Sequence, residues 1–209
     1  MQNRVGRPVL VTGGAGYIGS HVALALCALH VPIIVLDNLS SGKIPAVPKE
    51  AMFQFGDVIE SHTITNIIKY FKIDTVIHLA GSIIVNESMQ HPIDYYKNNT
   101  EGSRALLSAC ITGGAKNFIF SSTAAVYGQL DEMPVPEHAP TRPLNPYGRS
   151  KLMTEWMLQD AHLAHGIRYV ILRYFNVACA DPRGLAGFCC AESNHLIKSA
   201  CEVALEIRD

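Results

Sequence analysis

The segment "TGGAGYIG" (residues 12–19) places glycines at positions 13, 16 and 19, directly after the β-branched run "PVLV". A strand that feeds this glycine spacing makes a tight turn, lets the backbone approach a pyrophosphate closely and packs the next helix against the sheet. The free N–H groups and the positive end of the helix dipole then face the phosphates. Such turns also occur for packing alone, so the flanking elements decide whether this one binds a dinucleotide.

Apolar runs and helical segments alternate along the rest of the chain. Strands are predicted at 8–14, 32–37, 52–58, 74–81, 117–122 and 168–175, and helices at 18–29, 61–71, 93–112 and 147–165. Continuous apolar strands separated by helices indicate a parallel sheet that is covered on both faces. The predicted fold class is therefore α/β, a Rossmann-like doubly wound parallel sheet, and the glycine turn is interpreted as a dinucleotide site.

Two acidic residues end neighbouring strands of this predicted sheet. Asp37 ends the second strand, 18 residues after Gly19. A carboxylate there accepts hydrogen bonds from the adenosine ribose and repels a 2′-phosphate, which favours NAD over NADP. Asp57 ends the third strand, where it either meets the adenine edge or forms a turn after Gly56.

Composition excludes several classes of protein. Hydrophobic residues make up 48% of the 209 residues and charged residues 17%, which allows a sizeable core and argues against disorder. The net charge of −1 leaves no basic stripe for nucleic acid. We expect no secretory signal and no membrane span, because no long apolar run occurs. The six cysteines form no CxxC pair and no zinc-ligand spacing, so free thiols in the cytoplasm and no metal site are predicted.

The segment "PYGRSK" (146–151) holds a candidate for proton transfer. Tyr147 and Lys151 are four residues apart and share one face of a helix, an arrangement that also occurs as ordinary helix surface. A phenol with a pKa near 10 is a poor base, and a neighbouring ammonium lowers that pKa. Thr123 comes just after the fifth strand, at the edge where open α/β sheets bind ligands. The loop 128–146 carries five prolines and is a candidate functional loop.

Longer stretches, in order along almost the whole chain, resemble the extended short-chain dehydrogenase/reductase superfamily and, within it, the UDP-glucose 4-epimerase family. They are "TGGAGYIGSH", "VLDNLS", "GDV", "HLAG", "YYKNNTEG", "NFIFSSTAAVYG", "NPYGRSKLMTE" and "LRYFNVA". The glycine motif and the YxxxK pattern belong to the whole superfamily. "SSTAAVYG" and "LRYFNVA" are more typical of the nucleotide-sugar epimerase branch.

The resemblance implies a set of site residues. Those that would bind NAD are Gly13, Gly16, Tyr17, Ile18 and Gly19 at the pyrophosphate, Asp37, Asn38, Ser40, Ser41 and Gly42 at the ribose, Asp57 and Val58 at the adenine, Leu79, Ala80, Gly81 and Asn98 along the cofactor, and Tyr147, Lys151 and Phe175 at the nicotinamide. The catalytic set would be Thr123, Tyr147 and Lys151. Thr123, Tyr147 and Asn176 would contact the UDP-hexose substrate.

The resemblance also implies an activity and an organisation. The activity is interconversion of UDP-glucose and UDP-galactose through a 4-keto intermediate with tightly bound NAD, in galactose metabolism. Helices around "YYKNN" and YxxxK form a four-helix bundle in dimers of related enzymes, so a homodimer is expected. Residues 1–175 are predicted to form the NAD-binding domain, and 176–209 the start of a truncated substrate-binding region, because the family continues further.

Two alternatives stay open. One is a nucleotide-sugar dehydratase or reductase of the same superfamily; a dehydratase usually has an acidic pair near the catalytic hydroxyl, whereas Thr123 is followed by two alanines. The other is a truncated remnant that binds NAD without turnover. Cys179 stands where the family usually has glycine, and it is expected to crowd the substrate loop.

Overall fold

The predicted parallel sheet is present in the computed structural model, which describes residues 6–130, 133–188 and 195–207. The strands within these residues are β1 (Val9–Thr12), β2 (Ile33–Asp37), β3 (Met52–Phe55), β4 (Thr75–His78), β5 (Asn117–Ser121) and β6 (Arg168–Leu172). They form one sheet in the order β3-β2-β1-β4-β5-β6, and every neighbouring pair is parallel. This order is that of a doubly wound Rossmann-like sheet, which confirms the predicted fold class.

Helices connect the strands. They are α1 (Tyr17–Ala28), α2 (Ser61–Phe71), α3 (Val85–Gln90), α4 (Pro92–Tyr95), a π-helical turn (Tyr96–Glu101), α5 (Gly102–Gly113), α6 (Pro146–His165) and α7 (Leu196–Ala204), with 3₁₀ turns at Ile44–Ala46 and Ala124–Val126. The single helix expected over 93–112 is therefore interrupted by the π-helical turn. Several strands also end earlier than predicted, because the chain turns away from the ladder as soon as it reaches the glycines and polar residues that follow.

The core lies on both faces of the sheet. The larger cluster packs β1, β2, β4 and β5 against α2, α5 and α6, with fully buried side chains such as Leu10, Ile64 and Phe118. A smaller cluster around Ala23 and Val35 packs α1 against the opposite face. Helical cover on both faces explains why the strands are continuously apolar rather than alternating.

The crevice for a ligand follows from the strand order. The chain leaves β1 toward β2 on one side, and β4 lies on the other side, so the order reverses between β1 and β4. Ligands of open α/β sheets bind at such a point, beyond the carboxyl ends of the strands. The glycine turn after β1 and the segment Leu79–Gly81 after β4 meet there, and an added Cβ on Gly13 would lie 2.6 Å from the backbone nitrogen of Ala80.

The residues that the structure describes contain neither a helix suited to span a membrane nor a cluster of metal-ligating side chains. None of their helices combines the length and the apolar character that crossing a membrane requires. In the same ranges, no group of three or more His, Cys, Asp or Glu side chains lies close enough to hold a metal ion.

Candidate active site

The glycine turn is packed too closely for side chains. Gly13 has a φ of +71°, in the left-handed region that favours glycine. An added Cβ on Gly19 would lie 2.1 Å from the carbonyl oxygen of Gly13, so α1 approaches the turn as closely as backbone allows. Gly16 is the N-cap of α1, and neither a capping side chain nor an acidic first-turn residue covers this described helix end. The turn therefore leaves room and N–H donors for an anionic group.

Asp37 braces the turn. One of its carboxylate oxygens accepts a hydrogen bond from the backbone N–H of Ala15 at 3.0 Å, and the other accepts one from Leu39 at 2.8 Å. The side chain is mostly buried at the end of β2. Each carboxylate oxygen has a second acceptor position, so these contacts leave capacity for a ribose hydroxyl.

A small cavity lies beyond β3, next to the π-helical turn. It has a volume of about 250 Å³, and Asp57, Ile59, Asp94, Lys97, Asn98 and Gly102 line it. Asn38 donates a hydrogen bond to Asp57 at 2.8 Å, which joins the ends of β2 and β3. The cavity thus brings together Asp57 and Asn98, two of the predicted cofactor residues, while Val58 packs into the main core.

The other predicted residues of the ribose region lie on the loop after β2. The side chains of Ser40 and Ser41 are exposed, and Ser40 donates its backbone N–H to the Asn38 side chain at 3.0 Å. Gly42 packs against Asp37, whose carboxylate oxygen would lie 2.8 Å from an added Cβ. Glycine at this position therefore lets the loop fold back onto the carboxylate.

Lys151 is buried under the crevice. Its side chain donates a hydrogen bond from Nζ to the carbonyl oxygen of Ser121 at 3.1 Å, and it lies 5.1 Å from the ring centre of Phe120. Burial disfavours the charged form and lowers the pKa of Lys151 to about 8. An added Cβ on Gly81 would lie 3.4 Å from Nζ, so the segment after β4 passes directly over the ammonium.

Tyr147 lies on α6, one turn before Lys151, and its side chain contacts Thr123, which follows β5. Asn145 caps this helix by accepting a hydrogen bond from the N–H of Gly148 at 2.8 Å, which fixes the turn that carries Tyr147. Burial raises the pKa of the Tyr147 phenol, a hydrogen bond with Thr123 lowers it, and the nearby Tyr174 phenol raises it. The structure thus brings Thr123 and Tyr147 together, and Lys151 lies one helical turn further along α6.

Residues 9–189 match the model of the NAD dependent epimerase/dehydratase family. The chain belongs to this family.

Members of the epimerase/dehydratase family that are similar to the chain share most of its length. It is 52% identical over 197 residues to the UDP-glucose 4-epimerase of Azospirillum brasilense, with 94% of this chain and 57% of that protein covered. It is 44% identical to the UDP-glucose 4-epimerase of Halalkalibacterium halodurans, with 96% and 60% covered. The chain therefore spans about three fifths of the length of the curated relatives it matches.

Solved structures of the epimerase/dehydratase family show the same fold. One is the UDP-glucose 4-epimerase from Brucella ovis in complex with NAD, with a TM-score of 0.93, 41% identity, and 97% of this chain and 62% of that chain covered. Another is the UDP-glucose 4-epimerase from Bifidobacterium longum in complex with NAD⁺ and UDP, with a TM-score of 0.82, 38% identity, and 87% and 57% covered.

Asn99 is a site residue of this epimerase/dehydratase chain that the sequence reasoning missed. It lies on the π-helical turn and is almost fully buried. Its side chain accepts a hydrogen bond from the N–H of Ser82 at 2.8 Å and donates one to the hydroxyl of Ser150 at 3.1 Å. Asn99 therefore holds the segment after β4 against α6. The extra residue of a π-helical turn leaves no periodic signal in the sequence that would have revealed this.

Glu155 was also missed. It lies on α6, four residues after Lys151, and is fully buried. It accepts hydrogen bonds from Ser122 and from Arg173, whose Nη2 lies 2.6 Å from Oε2. The spacing Tyr147, Lys151, Glu155 is a sequence signal that could have pointed to it, because residues four apart share a helix face.

The predicted residues beyond β6 lie at the surface. The Phe175 side chain is 79% exposed, and Asn176 is exposed as well. Cys179 follows on the same segment and holds it to the glycine turn. The Tyr17 hydroxyl donates to the carbonyl oxygen of Cys179 at 2.7 Å and accepts from its N–H at 2.6 Å. This segment therefore borders the same crevice as the glycine turn.

Proposed function

We propose that the chain forms the NAD-binding and catalytic part of a UDP-hexose 4-epimerase that interconverts UDP-glucose and UDP-galactose in galactose metabolism. The observation that carries this proposal is the cluster of Thr123, Tyr147 and the buried Lys151 at the carboxyl edge of the sheet, beside the glycine turn. Relatives named UDP-glucose 4-epimerase at 44–52% identity support the substrate class.

The residues around the crevice fit NAD. At Gly13 and Gly19 a Cβ would clash with backbone atoms, so glycine keeps the turn compact. The start of α1 offers N–H donors, and Asp37 keeps acceptor capacity for ribose hydroxyls. The cavity between Asp57 and Asn98 lies where the adenine end would be held. When held by these residues, NAD would supply a reversible acceptor for the hydride of the sugar C4.

Three side chains carry the proton chemistry in this proposal. Tyr147 takes the proton of the sugar 4-hydroxyl as its phenolate and gives it back when the hydride returns. Lys151, one helical turn away, is assigned the role of favouring that phenolate by its positive charge. Burial acts in the opposite direction and raises the pKa of Tyr147. Thr123 binds the same sugar oxygen and orients it toward Tyr147.

We propose roles for the other predicted regions of the chain as well. Residues 1–175 bind NAD, and 176–209 begin the region that binds the sugar nucleotide. Phe175 backs the nicotinamide and Asn176 contacts the substrate, consistent with their exposed side chains at the crevice edge. We place the protein in the cytoplasm and assign it a homodimeric state through the exposed faces of α4, the π-helical turn and α6, which include Ile93, Met153 and Trp156.

Conversion of UDP-galactose to UDP-glucose by the purified protein tests the activity. We expect turnover without added oxidant or reductant and NAD that copurifies with the protein. The Tyr147→Phe variant should lose at least about a hundredfold in kcat, the loss expected for a positioned general base, while it keeps its NAD.

The matched control is Tyr70→Phe, because Tyr70 is an exposed phenol on α2. Its kcat should equal that of the wild type. Absence of conversion by wild-type protein that carries NAD would overturn the epimerase assignment for this chain, and full activity of Tyr147→Phe would overturn the role of Tyr147.

A further inference from the structure

Three consecutive residues, the last of β5 and the two that follow it, contact three successive turns of α6. The carbonyl oxygen of Ser121 accepts from Lys151 at 3.1 Å, the hydroxyl of Ser122 donates to Glu155, and the hydroxyl of Thr123 interacts with Tyr147. The partners on α6 are four residues apart, so they lie along one face of the helix. Ser122 therefore lies between two residues that contact the proposed active site, namely Ser121, which contacts Lys151, and Thr123, which contacts Tyr147.

The contact between Ser122 and Glu155 is anchored deep in the protein. Glu155 is 0% exposed and Ser122 is 1% exposed. Arg173, directly after β6, donates to Glu155 through Nε at 3.0 Å and through Nη2 at 2.6 Å. Its pKa is raised because Glu155 stabilises the charged guanidinium.

Arg173 extends the network to the proline-rich loop. Its Nη1 donates to the hydroxyl of Tyr127 at 3.0 Å and to the carbonyl oxygen of Glu137 at 3.1 Å. A buried ion pair of this kind is weak evidence for a contribution to stability, because desolvation offsets the attraction. What it does supply is one fixed geometry for the segments that it joins.

We propose that Glu155 is a positioning residue of the active site: through Ser122 it fixes the backbone from which the Thr123 hydroxyl reaches Tyr147. Its catalytic consequence rests on the proposed function, whereas its effect on Tyr147 does not. Through Arg173, Glu155 also ties the same backbone to the loop that ends at the N-cap of α6. Glu155 thus holds Thr123 through Ser122, and through Arg173 it holds the loop that leads to Tyr147.

The Ser122→Ala variant isolates this role. It removes the hydroxyl that donates to Glu155 and leaves the buried pair of Glu155 and Arg173 intact. It also keeps the titratable groups that face Tyr147, namely Tyr95 on α4 and Tyr174 after β6, and it keeps Lys151 one turn along α6. The hydrogen bond from Thr123 lowers the pKa of Tyr147. Without the Ser122 hydroxyl, Thr123 is less well aligned and this hydrogen bond weakens, so the pKa of Tyr147 should rise.

The matched control is Thr154→Ala. Thr154 is 1% exposed on the same helix, next to Glu155, and its hydroxyl donates within the helix to the carbonyl oxygen of Ser150 at 3.2 Å. The change therefore removes a buried hydroxyl of similar size without touching Ser122 or Glu155.

Titration of the Tyr147 phenolate by ultraviolet absorbance is the first measurement, and it needs no turnover. Subtracting the curve of the same protein with Tyr147→Phe isolates Tyr147 from the other tyrosines. We expect the pKa of Tyr147 to rise by about 0.5 unit in Ser122→Ala and to stay constant in Thr154→Ala. An unchanged pKa in Ser122→Ala, or an equal rise in the control, would overturn the positioning role.

Steady-state kinetics with UDP-galactose is the second measurement. Ser122→Ala should lower kcat about tenfold, leave KM within about twofold, and shift the pH profile of kcat toward alkaline pH. Glu155→Gln should lower kcat at least as much, because it also removes the charge that pairs with Arg173. The double variant should be no worse than Glu155→Gln alone, because Ser122 acts through its hydrogen bond to Glu155. Additive losses would contradict this. A wild type without turnover would sink the epimerase proposal while the titration still decides the role of Glu155.

Discussion

Lys151 shows how one buried charge serves the site at a cost to the fold. Its ammonium lies beneath the crevice with its side chain 3% exposed, and burial lowers its pKa to about 8 from the ordinary 10.5. Between these values the unfolded chain binds more protons than the folded one, so stability rises with pH in this window. Below about pH 8 the folded protein carries the full cost of the buried charge.

Replacement of Lys151 by methionine should remove that cost. Lys151→Met should increase the free energy of unfolding more at pH 7 than at pH 10. The increases at the two pH values should differ by up to about 3 kcal/mol, because one pKa unit corresponds to about 1.4 kcal/mol. Urea unfolding at both pH values measures this. The control Lys69→Met changes an exposed lysine of α2 and should show no such difference. An equal gain at both pH values would contradict the burial of a charged Lys151.

At the scale of elements, the docking of α1 on the glycine turn sets the shape of the crevice. A Cβ added to Gly19, on the first turn of α1, would lie 2.1 Å from the carbonyl oxygen of Gly13 and 2.6 Å from the Cα of Gly14. These neighbours are backbone atoms, so a side chain at Gly19 has no flexible neighbour to displace. The helix would have to move away from the turn, and the N–H donors of α1 would move with it.

Gly19→Ala should therefore destabilise the protein by about 3 kcal/mol, at the upper end of overpacking effects, and reduce NAD binding. Chemical denaturation and the NAD content of the purified protein measure both effects. Gly6→Ala is the control, because an added Cβ there meets nothing within 4 Å. A Gly19→Ala protein with wild-type stability and NAD content would show that α1 can shift without consequence.

At the scale of the whole molecule, one helical surface stands out. Ile93 on α4 is 74% exposed and lines a shallow depression together with Tyr96, Thr100 and Met153. Trp156, which is 52% exposed, follows Met153 by three residues on α6. Apolar side chains that cluster on adjacent helices at the surface mark interaction sites. This surface is the one that we assign to the homodimer.

A charge on this surface should separate the subunits. We expect wild-type protein to elute as a dimer and Ile93→Glu to elute as a monomer in size-exclusion chromatography with light scattering, because a dimer would bury the carboxylate without a partner. Leu29→Glu, at the end of α1 on the other face of the sheet, is the control, since Leu29 is 73% exposed. A monomeric wild type, or a dimeric Ile93→Glu, would refute the assigned interface.

The fold could be predicted because its signals are local. The apolar runs mark β1, β2, β4 and β5, and the spacing of Gly13, Gly16 and Gly19 announces a turn whose backbone geometry excludes side chains. The same holds for Tyr147 and Lys151, whose shared face follows from four residues of helix. Such features depend on neighbours in sequence, so the sequence alone reveals them.

The contacts that hold the site depend on neighbours in space. Ser122 meets Glu155 across 33 residues, and Asn99 meets Ser150 across 51 residues. In the sequence, Glu155 and Asn99 look like polar positions on helix surfaces. Only the packing of α6 and the π-helical turn against the ends of β4 and β5 buries them. Burial then turns each into a hydrogen-bonded anchor, because a polar group removed from water must find a partner.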